Sequence, residues 1–222
     1  MNIPRKGLTS HQGDRIWYPT KIVCLGLNYI DHARELHQPI PKEPLIFLKP
    51  PSALTFDGCE VLVPRDIGRV DYEIELGVVI GKRAKSVKPQ EVRDIVAGFT
   101  VFIDITARDL QRLDGQWTRA KSFDTFAPTG PHVVSWQEVG DPNNLKMKLW
   151  VNDQVKQDSC TCKMIFKVEE VVAYISRIMT LEPGDIIATG TPPGVGPFKP
   201  GDVLRAQIER IGTLTVYTKL IE

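Results

Sequence analysis

The amino-acid sequence predicts a strand-rich α+β fold, with mixed sheets rolled into a barrel-like shape. Three observations carry that expectation. The 17 prolines and 17 glycines of the 222 residues are spread along the chain rather than pooled, which divides it into many short elements joined by tight turns. Two Pro-Gly-Asp turns, Pro183–Asp185 and Pro200–Asp202, each lead into an apolar run. No regular strand–helix alternation runs through the chain, which argues against a doubly wound parallel sheet.

Residues 1–20 read as a short N-terminal segment and 21–222 as one domain of catalytic size. Lys21–Leu27 is a short buried strand. Asn28 is placed to cap a helix over Tyr29–Leu36, which Pro39, Pro41 and Pro44 end. Strands are expected at Leu45–Leu48, stopped by Pro50-Pro51, and at Val61–Pro64. Tyr72–Ile80 is the clearest strand. Pro89–Val96 reads as a helix with proline in its first turn, and Phe99–Ile105 as a β-rich strand. Leu145–Val151 and Asp185–Thr189 are strands, with the longest helix candidate, Val168–Met179, between them. Val203–Ile208 and Leu214–Leu220 close the chain as strands.

Composition narrows the class. Hydrophobic residues make up 42% and charged residues 25%, the balance of a globular chain rather than a disordered one. Lys plus Arg is 28 against 27 for Asp plus Glu, so no strong field for nucleic acid or an acidic membrane follows. Four cysteines are too few for a disulfide scaffold. Cys160 and Cys162 form a lone C-x-C and are expected as reduced thiols. No apolar run approaches the ~20 residues of a spanning helix, and the first residues lack the apolar stretch of a secretory signal. A cytoplasmic protein is expected.

Candidate chemistry begins at Asp71-Tyr-Glu-Ile-Glu-Leu76. Side chains alternate faces on a strand, so Glu73 and Glu75 point the same way and Tyr72, Ile74, Leu76, Val78 and Ile80 point into the core. Gly77 and Val79 continue the glutamate face, so that face is not simply solvated. Asp104 stands in an apolar run, Phe-Ile-Asp-Ile-Thr, where an acid is costly unless paired or metal-bound. Glu73, Glu75 and Asp104 together make a hard, all-oxygen set suited to Mg²⁺, Mn²⁺ or Ca²⁺ rather than zinc. The alternative is three rim acids paired with basic residues.

Four further groups carry a functional and a plain reading each. Arg108 and Gln111 share a face if their segment is helical, for clamping a carboxylate or as an ordinary surface turn. His32 and Glu35, three apart on the short helix, are a water-activating pair or an idle surface pair. Lys121, followed by aromatic residues, stabilises an oxyanion or snorkels. Thr189–Gly196 is a Gly-rich loop that presents Thr191 to a ligand or merely turns. It lacks the Gly-Lys-Ser/Thr ending of a phosphate loop.

In this order and spacing, these blocks resemble the fumarylacetoacetate hydrolase family, in its short acylpyruvate hydrolase and oxaloacetate decarboxylase branch. The likeness lies in Asn28-Tyr29 with His32 and Glu35, in Pro44–Pro50, in Asp71–Leu76, in Gly98–Asp109, in Lys121–Asp124 and in Gly190–Gly196. The resemblance implies a mixed β-sandwich roll, usually dimeric, that lacks the separate N-terminal domain of longer relatives. It implies one Mg²⁺ or Mn²⁺ per subunit on Glu73, Glu75 and Asp104. It makes the helix of His32 and Glu35 a lid, and Lys121 a third catalytic group. Arg108, Gln111 and Thr191 fall at substrate contacts. The implied reaction is cleavage of an acylpyruvate, a small 2-oxo acid, to pyruvate and a carboxylic acid. Oxaloacetate decarboxylation and isomerisation of a hydroxymuconate-type diacid are the alternatives. The implied partners are the substrate and a second copy of the chain.

Overall fold

Two mixed sheets absorb most of the apolar runs in the computed structural model, which describes residues 7–35 and 37–222. Leu36, the expected helix end, and the first six residues of the N-terminal segment lie outside the described residues. In chain order the strands are β1 (Leu8–Thr9), β2 (Ile16–Trp17), β3 (Ile22–Gly26), β4 (Leu45–Lys49), β5 (Leu54–Phe56), β6 (Glu60–Pro64), β7 (Val70–Tyr72), β8 (Ile74–Ile80), β9 (Val96–Ile103), β10 (Thr106–Ala107), β11 (Ala127–Val134), β12 (Lys146–Val151), β13 (Gln154–Cys160), β14 (Ile186–Ala188), β15 (Gly196–Pro197), β16 (Val203–Ile208) and β17 (Gly212–Ile221). The α-helices are α1 (Ile30–Glu35), α2 (Val92–Ile95), α3 (Arg108–Asp114), α4 (Thr118–Lys121), α5 (Trp136–Val139) and α6 (Val168–Ile178).

A seven-stranded sheet runs β4-β3-β14-β8-β9-β11-β5 and a five-stranded sheet runs β13-β12-β16-β17-β6. Both mix directions: β3 is parallel to β14, β5 to β11 and β6 to β17. Leu76, Val78 and Val101 from the first sheet meet Leu149, Leu204 and Val216 from the second in one core. Helix α6 joins it through Val168, Val171, Val172 and Ile175, an i, i+3, i+4, i+7 stripe. Burying each of these side chains is worth about 1.5–3 kcal/mol. Cys24, Val79, Phe102 and Ile186 belong to a second cluster on the other face of the seven-stranded sheet. Strand β8 is therefore buried along its whole length, which is why its sequence reads as nearly continuous apolar residues.

Both Pro-Gly-Asp segments turn by the same chemistry. Gly184 and Gly201 take φ of +93° and +97°, a left-handed conformation that glycine adopts without a Cβ clash. The aspartate that follows each glycine accepts from the backbone three residues back, Glu182 N to Asp185 Oδ2 and Lys199 N to Asp202 Oδ2, both at 2.8 Å.

The expected elements shift in three places. Tyr72–Ile80 is two strands in different sheets, broken at Glu73. Strand β9 ends at Ile103, so Asp104 follows a strand rather than sitting inside one. Pro89–Val96 is a 3₁₀ turn at Pro89–Glu91 plus the single turn of α2, and Val96 already belongs to β9. The sulfur atoms of Cys160 and Cys162 lie against each other. The 3₁₀ turn Thr161–Lys163 brings their Cα atoms to 5.1 Å, within disulfide reach. Among the described residues no helix is long and apolar enough to cross a membrane.

Candidate functional site

The three acids gather where the sheets part. Strands β8 and β9 pair antiparallel up to Ile74 opposite Ile103. Beyond that point both chains leave for a small sheet, where β7 pairs with β10 and β15. Glu73 and Asp104 occupy the junction, and Asp104 N donates to Glu73 O at 2.8 Å. Interrupting the ladder re-aims both side chains toward Glu75, two residues along β8. One carboxylate oxygen from each of Glu73, Glu75 and Asp104 lies within 4.8 Å of the others, and all three residues are buried.

Buried cations answer two of the three charges. Lys121 Nζ reaches Glu73 Oε2 at 3.0 Å and Asp104 Oδ2 at 2.5 Å. Lys49 Nζ donates to Asp104 Oδ1 and to Ile105 O. Arg108 donates from Nε to Asp71 Oδ2 at 2.8 Å, from one terminal nitrogen to Glu73 Oε1 and from the other to Gln111 Oε1 at 2.6 Å. Burial alone would raise the Glu73 pKa, but Lys121 and Arg108 hold it down to about 2. Burial works against the Lys121 ammonium too, yet Asp104 and Glu73 keep its pKa above the ordinary value. Burial lowers that of Lys49 despite Asp104. Glu75 differs: its hydrogen bond comes from Gly190 N, at 2.7 Å. Burial, with Asp104 and Glu73 beside it, pushes its pKa well up.

A cavity of about 560 Å³ opens onto this cluster. It is lined by Glu73, Lys121, Arg108, Gln111 and Thr191 on one side and by His32 and Glu35 of α1 on another. All nine residues singled out in the sequence thus belong to one place, with Glu75 and Asp104 buried beside Glu73. His32 Nδ1 is 3.0 Å from Glu35 Oε2, so the carboxylate accepts from Nδ1–H and Nε2 is the ring nitrogen it does not hold. Gly194 N donates to Glu35 Oε1 at 3.3 Å. Trp117 and Phe47 wall the cavity edge to face, and the Phe47 ring lies 4.9 Å from Lys121 Nζ. A Cβ on Gly26 would lie 3.0 Å from the Trp117 ring, so any larger residue there would press on this wall. A larger groove of about 740 Å³ lies elsewhere, lined in part by His11, His132 and Trp150. Among the described residues the acid trio is the one three-ligand group of metal-binding type.

The family model for the fumarylacetoacetate (FAA) hydrolase C-terminal region matches residues 21–217. The chain belongs to that family. It is 48% identical over 205 residues to oxaloacetate tautomerase FAHD2A, mitochondrial, of Bos taurus, covering 88% of this chain and 65% of that protein. Among solved structures it resembles fumarylpyruvate hydrolase from Pseudomonas aeruginosa in complex with Mn²⁺ and pyruvate. There the TM-score is 0.91 with 34% identity, over 100% of this chain and 99% of the other. A 2-hydroxyhepta-2,4-diene-1,7-dioate isomerase from Mycobacterium marinum matches with a TM-score of 0.85 and 42% identity, over 92% of this chain and 76% of its own. The strand-rich α+β fold expected from the sequence is the fold of these fumarylacetoacetate hydrolase relatives.

The acid trio of this family member fits a hard dication. Its donors are all oxygen, and Glu75 is a buried carboxylate with no ion-pair partner of its own among the described residues. Sequence reasoning missed several supporting residues. Lys49 sits at the end of β4 in Phe-Leu-Lys-Pro, where a lysine before prolines gives no sign of burial. Asp71 carries Arg69 and Arg108 from inside the quoted motif. Asn28 is not a helix cap: its amide bonds Phe166 N, Phe166 O and Thr189 O, tying the start of α1 to two distant loops. Gln157 comes from the other sheet.

Proposed function

We propose that this protein is a divalent-metal-dependent enzyme of small 2-oxo acids, and that it hydrolyses a C–C bond in an acylpyruvate-type 2,4-dioxo acid to give pyruvate and a carboxylic acid. The observation that carries this reading is the His32–Glu35 pair lining the same cavity as Glu73, Lys121 and Arg108. Glu73, Glu75 and Asp104 would hold one Mg²⁺ or Mn²⁺ per subunit. The Mn²⁺ and pyruvate of the fumarylpyruvate hydrolase structure support that choice. When bound, such an ion supplies Lewis-acid polarisation of the keto oxygen of a 2-oxo acid. His32 takes a proton from water at Nε2 while Glu35 holds its Nδ1–H, and the water attacks the distal carbonyl. The Lys121 ammonium, kept charged by its acidic neighbours, stabilises the oxyanion that forms; its collapse breaks the C–C bond and releases the carboxylic acid, and His32 returns its proton to the departing carbon to give pyruvate. Arg108, Gln111 and Thr191 orient the substrate's oxygens.

A second reading is keto–enol tautomerisation of oxaloacetate, favoured by the 48% identity to the bovine oxaloacetate tautomerase. That chain is longer, so its activity transfers only as a proposal. In this reading His32 moves a proton between C3 and the keto oxygen, and no water is consumed. One panel separates the readings: acetylpyruvate, enol-oxaloacetate and 2-hydroxyhepta-2,4-diene-1,7-dioate, each with Mg²⁺, with Mn²⁺ and with EDTA. Metal-dependent release of pyruvate and acetate from acetylpyruvate is expected. Loss of the enol absorbance without pyruvate selects the tautomerase, pyruvate with CO₂ a decarboxylase, and turnover of the dienedioate alone an isomerase. Turnover unaffected by EDTA, or none at all, overturns the reading.

A further inference from the structure

Gln157 reaches the site from the wrong sheet for a catalytic residue, and its bonding explains why. It lies on β13, the edge of the five-stranded sheet, among exposed residues, yet it is 1% exposed itself. The pairing of β12 with β13 slips there: Leu149 faces Gln157 and Trp150 faces Val155, leaving Lys156 as an extra residue. Such a bulge re-aims the neighbouring side chain, and Gln157 turns inward. Its amide is fully committed. Nε2 donates to Thr191 Oγ1 and to Pro192 O, both at 2.9 Å, and Oε1 accepts from Ile74 N at 2.9 Å.

These partners fix the amide's orientation without ambiguity. Ile74 N–H only donates and Pro192 C=O only accepts, so the flipped amide would lose both bonds. Thr191 is then obliged to accept from Gln157, which leaves its hydroxyl proton free to donate into the cavity that Thr191 lines. Ile74 is the residue between Glu73 and Glu75, where the chain changes sheets, so the same amide ties the acid strand to the Thr191 loop. The bulge supports that loop a second time. A Cβ on Gly194, whose φ is +93°, would lie 2.3 Å from Lys156 O, and Gly194 N is the donor to Glu35.

We propose that Gln157 is a positioning residue that makes the Thr191 hydroxyl an obligate donor to a substrate carboxylate and locks the 190–195 loop to the acid strand. The donor assignment rests on the 2-oxo acid reading; the locking does not. The test is a double-mutant cycle with Gln157→Met and Thr191→Val. Oxalate, a 2-oxo acid enolate mimic, is titrated calorimetrically into the Mn²⁺-loaded protein, and amide hydrogen exchange is measured on the metal-free protein. Gln157→Met is expected to weaken oxalate about tenfold when residue 191 is threonine and by clearly less when it is valine, where only the loss of the lock is felt. Exchange at Gly194 should rise about tenfold or more in Gln157→Met without metal or ligand. If Gln157→Met fails to fold, Gln157→Glu replaces it, since its carboxylate still accepts from Ile74 N. Equal losses in both backgrounds overturn the donor assignment. Unchanged exchange at Gly194 overturns the lock. Wild-type protein that binds no oxalate overturns the 2-oxo acid reading itself, and the exchange result still decides the lock.

Discussion

Replacing Glu75 with glutamine should act in opposite directions with and without metal. The substitution keeps the side chain's size and its acceptor for Gly190 N. In the metal-free protein the Glu75 charge stands within 4.8 Å of Glu73 and Asp104. At an effective dielectric constant of about 20, each such pair repels by about 3.5 kcal/mol. Lys121, Arg108 and Lys49 offset most of this, leaving a net relief on the order of 1–2 kcal/mol. For a chain of this size that raises Tm by about 2–8 °C. With metal the sign reverses. Ion at 100 times its Kd stabilises wild type by about 2.7 kcal/mol, and a variant with about 100-fold weaker affinity gains only about 0.4 kcal/mol at the same concentration. Glu75→Gln should therefore melt above wild type in EDTA and below it in Mg²⁺ or Mn²⁺. A pH series adds a third arm. Burial and its two acidic neighbours raise the Glu75 pKa, so the folded protein binds the proton more tightly than the unfolded chain. The contribution is fully present below the ordinary carboxylate pKa of about 4.3 and is lost as pH rises through the raised value. Metal-free wild type should lose stability over that rise and Glu75→Gln should not. A variant that melts below wild type in EDTA, or that keeps the full metal-induced rise, would refute the reasoning.

His32→Ala should reduce acetylpyruvate hydrolysis by about 10²–10⁴-fold while the Mn²⁺-induced rise in Tm stays as in wild type; turnover within a few-fold of wild type would remove His32 from the chemistry. Lys121→Met leaves Glu73 and Asp104 short of a buried cation, so urea unfolding of the metal-free protein should show a loss of about 3–5 kcal/mol, part of which Mg²⁺ restores. Unchanged stability would mean the pair is not formed. Glu73, held down to about 2 by Lys121 and Arg108 against burial, contributes stability that is full above the ordinary carboxylate range and is lost as pH falls toward 2. Arg108→Met should move the onset of acid unfolding to higher pH, as followed by circular dichroism, and an unmoved onset would contradict the pairing.

What the sequence revealed and what it hid divide by the range of the signal. Glu73 and Glu75 were legible as two acids in one apolar run, although the chain breaks at Glu73 and the break rather than strand alternation turns it toward Glu75, and Asp104 was legible because an acid amid Phe, Ile and Ile advertises its cost within five residues. The Pro-Gly-Asp turns were legible for the same reason. Strand β11 was not, since Pro128, Gly130 and Pro131 read as breakers until β9 and β5 flank the strand. Asn28 was read as a cap because asparagine directly before a helical run is a capping residue, but the backbone N–H its amide accepts from belongs to Phe166, 138 residues away. Lys49 and Gln157 are ordinary polar residues in sequence, and only a distant carboxylate or a bulge in another sheet gives them work.

Arg108 shows how the two kinds of signal combine. Its three-residue spacing to Gln111 correctly foretold a shared helical face, and the two side chains do meet. The same spacing suggested a guanidinium open to a substrate carboxylate. Nε and one N–H of each terminal nitrogen already donate to Asp71, Glu73 and Gln111, which leaves two of the five N–H groups for a substrate. A buried cation so held is first a counter-ion for the acid trio. The partner it shares with the dication site is Glu73, so a cation that takes charge from Glu73 loosens Arg108's grip on it. On the proposed function, the affinity for an anionic substrate and the affinity for a dication would therefore be coupled through one carboxylate, by charge balance at the point where β8 and β9 leave their sheet.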